Sequence, residues 1–286
     1  MEKLNIIFIG GMPNGYAVYN YLKKNKYVNL CLVITYPDDS LYPRAVKFPD
    51  EDNILKSGSA NDKADLISEI NPDYIFVAGW SELLDTRILT SSKKGVIGFH
   101  PSKLPMDRGR SVIAWQIEDG YTETALSMFY YNDFPDGGDI IAQEIIKIEQ
   151  NDYIIDILEK VKFATTNLMC SNFQLLRQNK APRKPQDLNE GNFRRLRTNT
   201  DSQINWNSNA QNIYNKIRAI SFPYPSAEGI INHNKYKIHK ANIMISFQFG
   251  NHLSPGQIVA TLHDDSLIIK CRDFFLKITH YELMKS

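Results

Sequence analysis

The sequence predicts an α/β protein, a doubly wound and mostly parallel sheet with a smaller β-rich domain after it. Three observations carry that expectation. Short apolar runs at 4–10, 29–35, 74–78 and 95–99 alternate with stretches of helical spacing, the pattern of buried parallel strands joined by crossover helices. The charged string Lys180-Ala-Pro-Arg-Lys-Pro-Gln-Asp187, punctuated by prolines, then breaks the alternation. Beyond it the β runs are short and turn-bounded, at 229–231, 236–239, 257–259 and 266–271, which suggests a small β-barrel or sandwich. The expected division is an N-terminal α/β domain at 1–180, a linker at 181–200 and a C-terminal β-barrel-like domain at 201–286. A chain of 286 residues, 43% of them hydrophobic, has the apolar material for two such cores.

Taken in order, Leu4-Asn-Ile-Ile-Phe-Ile-Gly10 ends in Gly10-Gly11, a strand entering a turn. Residues 13–24 follow with helical spacing through Tyr16, Tyr19, Tyr21 and Leu22. Gly10-Gly-Met-Pro-Asn-Gly15 lacks the full Gly-x-Gly-x-x-Gly spacing, so it is a weak match to a dinucleotide loop. After the second strand, the loop 36–51 sets Asp38, Asp39, Asp50 and Glu51 against Arg44 and Lys47. An acidic loop repels phosphates, which counts against a nucleic-acid substrate. Residues 62–70 read as an amphipathic helix, Asn71-Pro72-Asp73 as a turn, and 74–78 as the third strand. It leads into Gly79-Trp-Ser-Glu-Leu-Leu84, where Trp80 either stacks on an aromatic ligand or packs at the core edge. A helix at 111–119 takes Ser111 as its N-cap and Gly120 as its C-terminal stop. Strands at 124–131 and 140–148 and a long amphipathic helix at 153–176 complete the first domain. In the tail, Ile204-Asn-Trp206 precedes a helix carrying Ile213, Ile217 and Ile220.

The chemistry concentrates in Gly95-Val-Ile-Gly-Phe-His-Pro-Ser-Lys-Leu-Pro-Met-Asp-Arg-Gly-Arg110. Val96 and Ile97 lead in like the end of a buried strand. Pro101 biases His100 toward extended backbone, and Pro105 keeps a helix from starting early. The imidazole therefore sits at a strand end on a stiffened loop, where open α/β sheets carry reactive groups. A second string, Phe134-Pro-Asp-Gly-Gly-Asp-Ile140, is a turn with two carboxylates, Asp136 and Asp139. A histidine and a carboxylate on separate loops are the raw material of a base and its orienting partner.

His100-Pro-Ser-x-Leu-Pro, Arg108-Gly-Arg, Trp115 and Asp136-x-Gly together resemble the formyltransferases that use N10-formyltetrahydrofolate. That superfamily includes methionyl-tRNA formyltransferase, glycinamide ribonucleotide formyltransferase and the amino-sugar N-formyltransferases. The resemblance is strongest over 95–141. The strings Arg218-Ala-Ile-Ser-Phe-Pro-Tyr-Pro-Ser-Ala227 and Pro255-Gly-Gln-Ile258 extend it through the tail. It implies the same two-domain fold, N10-formyltetrahydrofolate as formyl donor, and a catalytic trio made of an Asn-x-His triplet and the Asp of an Asp-x-Gly turn. By position the histidine is His100 and the aspartate Asp136, but Gly98 occupies the asparagine slot. The resemblance also implies Met12 and Pro13 on the floor of the site, and Gly79, Trp80, Ser81 and Leu83 around the pterin, with Asp139 nearby. Arg108, Arg110 and Trp115 are the expected acceptor contacts. In tRNA formyltransferases the region matching 36–51 holds a longer, basic insertion, which this chain lacks. A homodimer is a further expectation from the family.

Formyl transfer to an amine is acyl transfer: the amine must lose a proton and the oxygen that gains charge needs donors. Histidine as a residue type titrates near ~6.5, which suits it to take that proton. An aspartate beside it orients the ring and stabilises its charged form. Loss of one oxyanion donor typically costs about 100- to 1000-fold in rate, so Gly98 is a substantive departure. Cationic His100, a backbone N–H freed by the glycine, or Ser102 are candidate replacements, and Gly-x-His is alternatively the working form of one branch. The remaining alternative is a weakened paralogue that binds folate or a nucleotide sugar without turnover. The leading expectation is N-formylation of a nucleotide-linked amino sugar, with methionyl-tRNA formylation as the runner-up.

Charge and composition bound the rest. The net charge is +1, so nothing global calls for nucleic acid or an anionic membrane. From Lys180 onward there are 15 Lys and Arg against 8 Asp and Glu, which suits a nucleotide or RNA, or simply a solvated face. Cys31, Cys170 and Cys271 are widely spaced, as expected of reduced thiols in a cytoplasmic protein. Met1-Glu-Lys-Leu-Asn shows no leader pattern, and no apolar run nears the roughly 20 residues of a membrane span. No Cys, His and Asp cluster has metal spacing, so no metal is expected.

Overall fold

β-Branched and aromatic residues dominate the four N-terminal apolar runs, and all four form strands. The architecture comes from a computed structural model, which describes residues 3–40, 42, 44–246 and 252–284. Met1 and Glu2, read above for a leader, and Leu41 and Pro43 of the acidic loop lie outside those residues. In chain order the elements are β1 (Leu4–Ile9), α1 (Pro13–Lys24), β2 (Val28–Thr35), β3 (Ile54–Lys56), α2 (Ala64–Ile70), β4 (Tyr74–Val77), α3 (Thr86–Leu89) and β5 (Gly95–His100). Then come β6 (Arg108–Gly109), α4 (Val112–Glu118), β7 (Glu123–Tyr130), β8 (Ile140–Lys147), α5 (Ile154–Arg177) and β9 (Phe193–Arg194). The last are α6 (Ala210–Ile220), β10 (Ala227–Ile231), β11 (Asn234–Met244), β12 (Ile258–Thr261), β13 (Leu267–Lys270) and β14 (Phe275–Leu283). By its contacts the chain divides into two compact units, each drawn from several stretches. The first is Met1–Gly109, Thr124–Ile146 and Glu159–Arg194; the second is Arg110–Glu123, Lys147–Leu158 and Arg195–Ser286.

The first unit is built on a seven-stranded sheet in the order β3-β2-β1-β4-β5-β7-β8. β1 to β5 run parallel, and β7 lies antiparallel to β5. The chain winds from β1 outward to β3, then returns to place β4 on the other side of β1. That reversal makes the carboxyl ends of β1 and β4 the switch point of the sheet, the place where α/β sheets bind ligands. The two strand ends meet closely there: the Gly11 N–H donates to the Gly79 carbonyl at 3.1 Å. A Cβ on Gly10 would stand 2.1 Å from the Ala78 oxygen, so the glycine string answers to close backbone packing. Strand alternation sends Ile7, Ile9, Ile75, Val77 and Val96 to one face, against Ala64, Ile67 and Ile88. Phe8 points to the other face and packs on Tyr19 and Phe48. β3, not anticipated above, is a three-residue parallel edge strand too short to show alternation. Part of the expected linker is stitched into this unit: Ile140 and Lys184 exchange backbone hydrogen bonds of 2.8 and 3.0 Å.

In the second unit an antiparallel sheet runs β10-β11-β14-β13-β12, with α6 packed on β11 and α4 on α6. Among the described residues its end strands, β10 and β12, do not pair with each other. The central strand β14 escaped the sequence reading because Lys277, Thr279 and Glu282 dilute its apolar positions. Ser111 is the N-cap residue of α4 as expected, but at φ 55 and without a side-chain cap; its Oγ instead accepts the Arg197 N–H at 3.3 Å. Gly120 does end the helix, at φ +79, with its N–H on the Ile117 carbonyl. Among the described residues no helix is long and apolar enough to cross a membrane.

Burial pushes the Cys271 thiol up to about 12, whereas Cys170 is exposed. At pH 8 a thiol reagent should therefore modify Cys170 in the native chain and reach Cys271 only after unfolding. Peptide mapping by mass spectrometry checks this, and early modification of Cys271 would contradict the packing of the second unit.

Candidate active site

β5 ends at His100, which is 6% exposed and lies at the same edge of the sheet as the ends of β1 and β4. The ring is held from two sides. Its Nε2 lies 2.8 Å from the backbone oxygen of Asp107. A carbonyl only accepts, so Nε2 carries the hydrogen and Nδ1 is the basic nitrogen of the neutral ring. Nδ1 faces Asp136 Oδ1 at 3.5 Å, longer than an N–H···O hydrogen bond. Two acceptors thus face each other, and a proton delivered to Nδ1 is met at once by a carboxylate. The other oxygen of Asp136 accepts the Gly109 N–H at 2.9 Å. Asp136 sits in left-handed backbone at φ 55, a conformation aspartate tolerates in turns. Its carbonyl is tied down by the Gln186 side-chain amide at 2.9 Å.

The partner of Nε2 is fixed by contacts far apart in sequence. Asp107 is 1% exposed; its Oδ1 accepts Arg194 Nε at 2.6 Å and Asn192 Nδ2 at 2.9 Å. The Asn192 Oδ1 accepts the Asp107 N–H at 2.8 Å, and β6 pairs in parallel with β9 to hold the two segments together. Ser102 belongs to this frame too. Its hydroxyl donates to the Met106 carbonyl at 2.7 Å, while its own carbonyl accepts the Ser127 hydroxyl at 2.6 Å. The Ser102 proton is therefore committed to the loop, which corrects its expected place among replacement donors.

Gly98 is covered. A Cβ built there would stand 1.9 Å from Cε1 of Tyr131, 2.7 Å from Cδ1 and 2.9 Å from Cζ. The Tyr131 N–H donates to the Val96 carbonyl at 2.8 Å, and its ring stacks on Phe129 with centroids 5.1 Å apart. The backbone of Gly98 lies between β4 and β7, opposite Val77 and Phe129, so the glycine does not free an N–H into open space.

Residues 3–172 match the family described as Formyl transferase, and residues 197–286 match Formyl transferase, C-terminal domain. The chain belongs to the formyl transferase family. It is 28% identical over 282 residues to the methionyl-tRNA formyltransferase of Mesoplasma florum, covering 96% of this chain and 88% of that one. Its fold is similar to HypX from Aquifex aeolicus solved with tetrahydrofolic acid, at TM-score 0.72 and 16% identity, over 99% of this chain but only 45% of HypX. It is also similar to WlaRD, a sugar 3N-formyl transferase solved with dTDP and 5-N-formyl-THF, at TM-score 0.70 and 18% identity over the whole of both chains. The N-formyltransferase from Helicobacter canadensis, solved with folinic acid and dTDP-3-aminofucose, gives TM-score 0.69 and 20% identity over 97% of this chain and 99% of that one.

In this formyl transferase the other expected site residues fall in different places. Met12 and Pro13 open α1 directly after β1, with the Met12 carbonyl accepting the Tyr16 N–H. Gly79, at φ +63, Trp80, Ser81 and Leu83 follow β4 at the same edge of the sheet. Trp80 is stacked on Tyr36 at 4.3 Å, and Tyr36 on Tyr42 at 4.4 Å, so one indole face is already covered. The Ser81 N–H donates to the Tyr36 hydroxyl, and Leu83 is exposed. Asp139 lies 3.8 Å from Arg183. Arg108 is buried between Phe134 and Phe193 and donates Nη2 to the carbonyls of Leu188 and Glu190, which makes it a brace of the 188–194 segment. Trp115, in the second unit, donates its indole N–H to the Arg195 carbonyl and lies under the Arg197 guanidinium at 4.1 Å. Arg110 is exposed, with no ion-pair partner among the described residues. Among those residues no group of three His, Cys, Asp or Glu is placed to hold a metal ion. Asp107, Asn192, Arg194 and Tyr131 were not anticipated; Asp107 alone carried a local signal, as a carboxylate inside the histidine loop.

Replacing Arg194 with Met removes the charge partner of the buried Asp107 carboxylate and should cost about 3 kcal/mol of stability. Gly98→Ala should cost about 1–3 kcal/mol by overpacking against Tyr131. Urea denaturation checks both; unchanged midpoints would contradict the described packing.

Proposed function

We propose that this enzyme transfers the formyl group of N10-formyltetrahydrofolate to the amine of a nucleotide-linked amino sugar. The observation that carries the reading is the His100–Asp136 pair, a proton acceptor backed by a carboxylate at the carboxyl edge of the sheet. The edge beside it fits a flat heteroaromatic with a polar rim: Leu83 is exposed there, Trp80 is half-buried, and the chain turns through Gly11 and Gly79. The folate supplies the formyl carbon and the leaving nitrogen. His100 Nδ1 takes the proton of the attacking amine, and the adjacent carboxylate stabilises the resulting imidazolium. The Asp107 carbonyl keeps Nε2–H in place, so the ring neither flips nor changes tautomer. Two structural relatives with this fold were solved with dTDP or a dTDP-sugar beside a folate, which supports a nucleotide-sugar acceptor. Arg110 is the proposed contact for the acceptor's phosphates.

The loop 36–51 supports a small acceptor over tRNA. Its acids hold the lysines near them: Lys56 lies 2.8 Å from Asp38 and 2.6 Å from Asp50, and Lys23 pairs with Glu51. That arrangement offers phosphates few free cations. The second reading, methionyl-tRNA formylation, is favoured by the 28% identity to such an enzyme over 96% of this chain.

Incubation with N10-formyltetrahydrofolate and either nucleotide-linked amino sugars or methionyl-tRNA separates the two. Formylated sugar is the expected product, and formylation of the tRNA alone would overturn the assignment. On the true acceptor, His100→Gln should lower kcat/KM by about 100- to 10,000-fold, because it removes the proton acceptor. Retained activity would exclude His100 as the base.

A further inference from the structure

The covered glycine has a chemical consequence, which rests on the formyl transfer proposed above. Addition of an amine to a formyl carbon puts negative charge on the formyl oxygen, and the site must offer it a hydrogen-bond donor. The donors on β5 and the loop after it are limited. The Ser102 hydroxyl is spent on the Met106 carbonyl, and the Gly98 backbone lies between paired strands. A proton on His100 Nδ1 is directed at Asp136.

Tyr131 is different. Side chains two apart on a strand share a face, so the position above Gly98 is on the same face as the His100 imidazole. The Tyr131 ring occupies that position, and its Cζ, which carries the hydroxyl, is 2.9 Å from where the Gly98 Cβ would be. Among the described residues the hydroxyl has no hydrogen-bond partner. Burial first, and the Asp136 charge second, push the phenol well above the usual tyrosine range, so it keeps its proton. A protonated donor with no partner is thus held in the catalytic neighbourhood by a ring that fills the glycine's space.

We propose that the Tyr131 O–H is the oxyanion donor of this enzyme, set over Gly98 in place of a side chain on β5. The amine nitrogen forms a bond to the formyl carbon, and the carbonyl π pair moves onto the oxygen. Tyr131 donates a hydrogen bond to that oxygen and retains its proton. The amine proton goes to His100 Nδ1. The carbonyl then re-forms, the bond from carbon to the folate N10 breaks with its pair on nitrogen, and N10 takes the proton from His100. A formamide and tetrahydrofolate leave, with no change in oxidation state.

The proposal couples positions 98 and 131, and a swap tests it. Tyr131→Phe keeps the ring over Gly98 and removes only the donor. With N10-formyltetrahydrofolate and whichever acceptor the wild-type chain formylates, among nucleotide-linked amino sugars and methionyl-tRNA, it should lower kcat by about 100- to 1000-fold. KM for the folate and the thermal midpoint should stay near wild type, which a merely structural ring would not separate from kcat. Tyr131→Ala should be at least as slow, and adding Gly98→Asn to it should recover rate, since an amide then enters the cleared space. Wild-type kcat in Tyr131→Phe, or no gain in Gly98→Asn/Tyr131→Ala over Tyr131→Ala alone, overturns the proposal. A wild-type chain that binds the formyl-folate but formylates no acceptor also overturns it, because the slot is then filled without being used. Failure to bind the folate at all instead removes the formyl-transfer reading beneath it.

Discussion

The site depends on one hydrogen bond, from His100 Nε2–H to the main-chain oxygen of Asp107. It decides which imidazole nitrogen is basic, and therefore which side of the ring faces Asp136. Much of the surrounding structure keeps that oxygen where it is. The loop from Pro101 to Gly109 is laced by Ser102 and Ser127, and Gln143 reaches the Leu104 carbonyl and the Ser127 hydroxyl at 3.0 and 2.8 Å. Asp107 is pinned by Arg194 and Asn192. The buried ion pair is better understood as a register device than as a source of net stability, since desolvation offsets much of its attraction.

The sheet supplies the second constraint. Parallel strands β1, β4 and β5 end at one edge, and the order reverses between β1 and β4, so the switch point of the sheet lies beside the strand that ends at His100. β7 runs the other way and sets Phe129 opposite Gly98, from which the chain continues into Tyr131. A glycine on β5 and an aromatic two residues beyond its cross-strand partner are therefore complementary. Enlarging one requires reducing the other, so the glycine on β5 leaves no hole in the core.

Much of the site frame was legible in the sequence because local chemistry dictates it. Pro101 and the apolar lead-in place His100 at a strand end, and Pro-Asp-Gly-Gly can hardly be anything but a turn. What was not legible depends on register and on distance along the chain. Asn192 and Arg194 lie 85 and 87 residues from Asp107, and no local pattern links them. Tyr131 covers Gly98 only because β7 pairs with β5 in one register. Ser102 and Trp115 have the residue types of a functional site, yet their donors serve the carbonyls of Met106 and Arg195. In the tail, β14 was missed because the centre of an antiparallel sheet tolerates polar residues on its solvated face.

The central claim is the tautomer of His100, and nitrogen-15 NMR of the imidazole reads it directly. With the signal assigned by its loss in His100→Gln, two-bond correlations at a pH where the ring is neutral identify the protonated nitrogen. The account predicts hydrogen on Nε2 and a lone pair on Nδ1. Hydrogen on Nδ1, bonded to the Asp136 carboxylate, would contradict it, because the nitrogen that faces the carboxylate could then no longer receive a proton from the incoming amine.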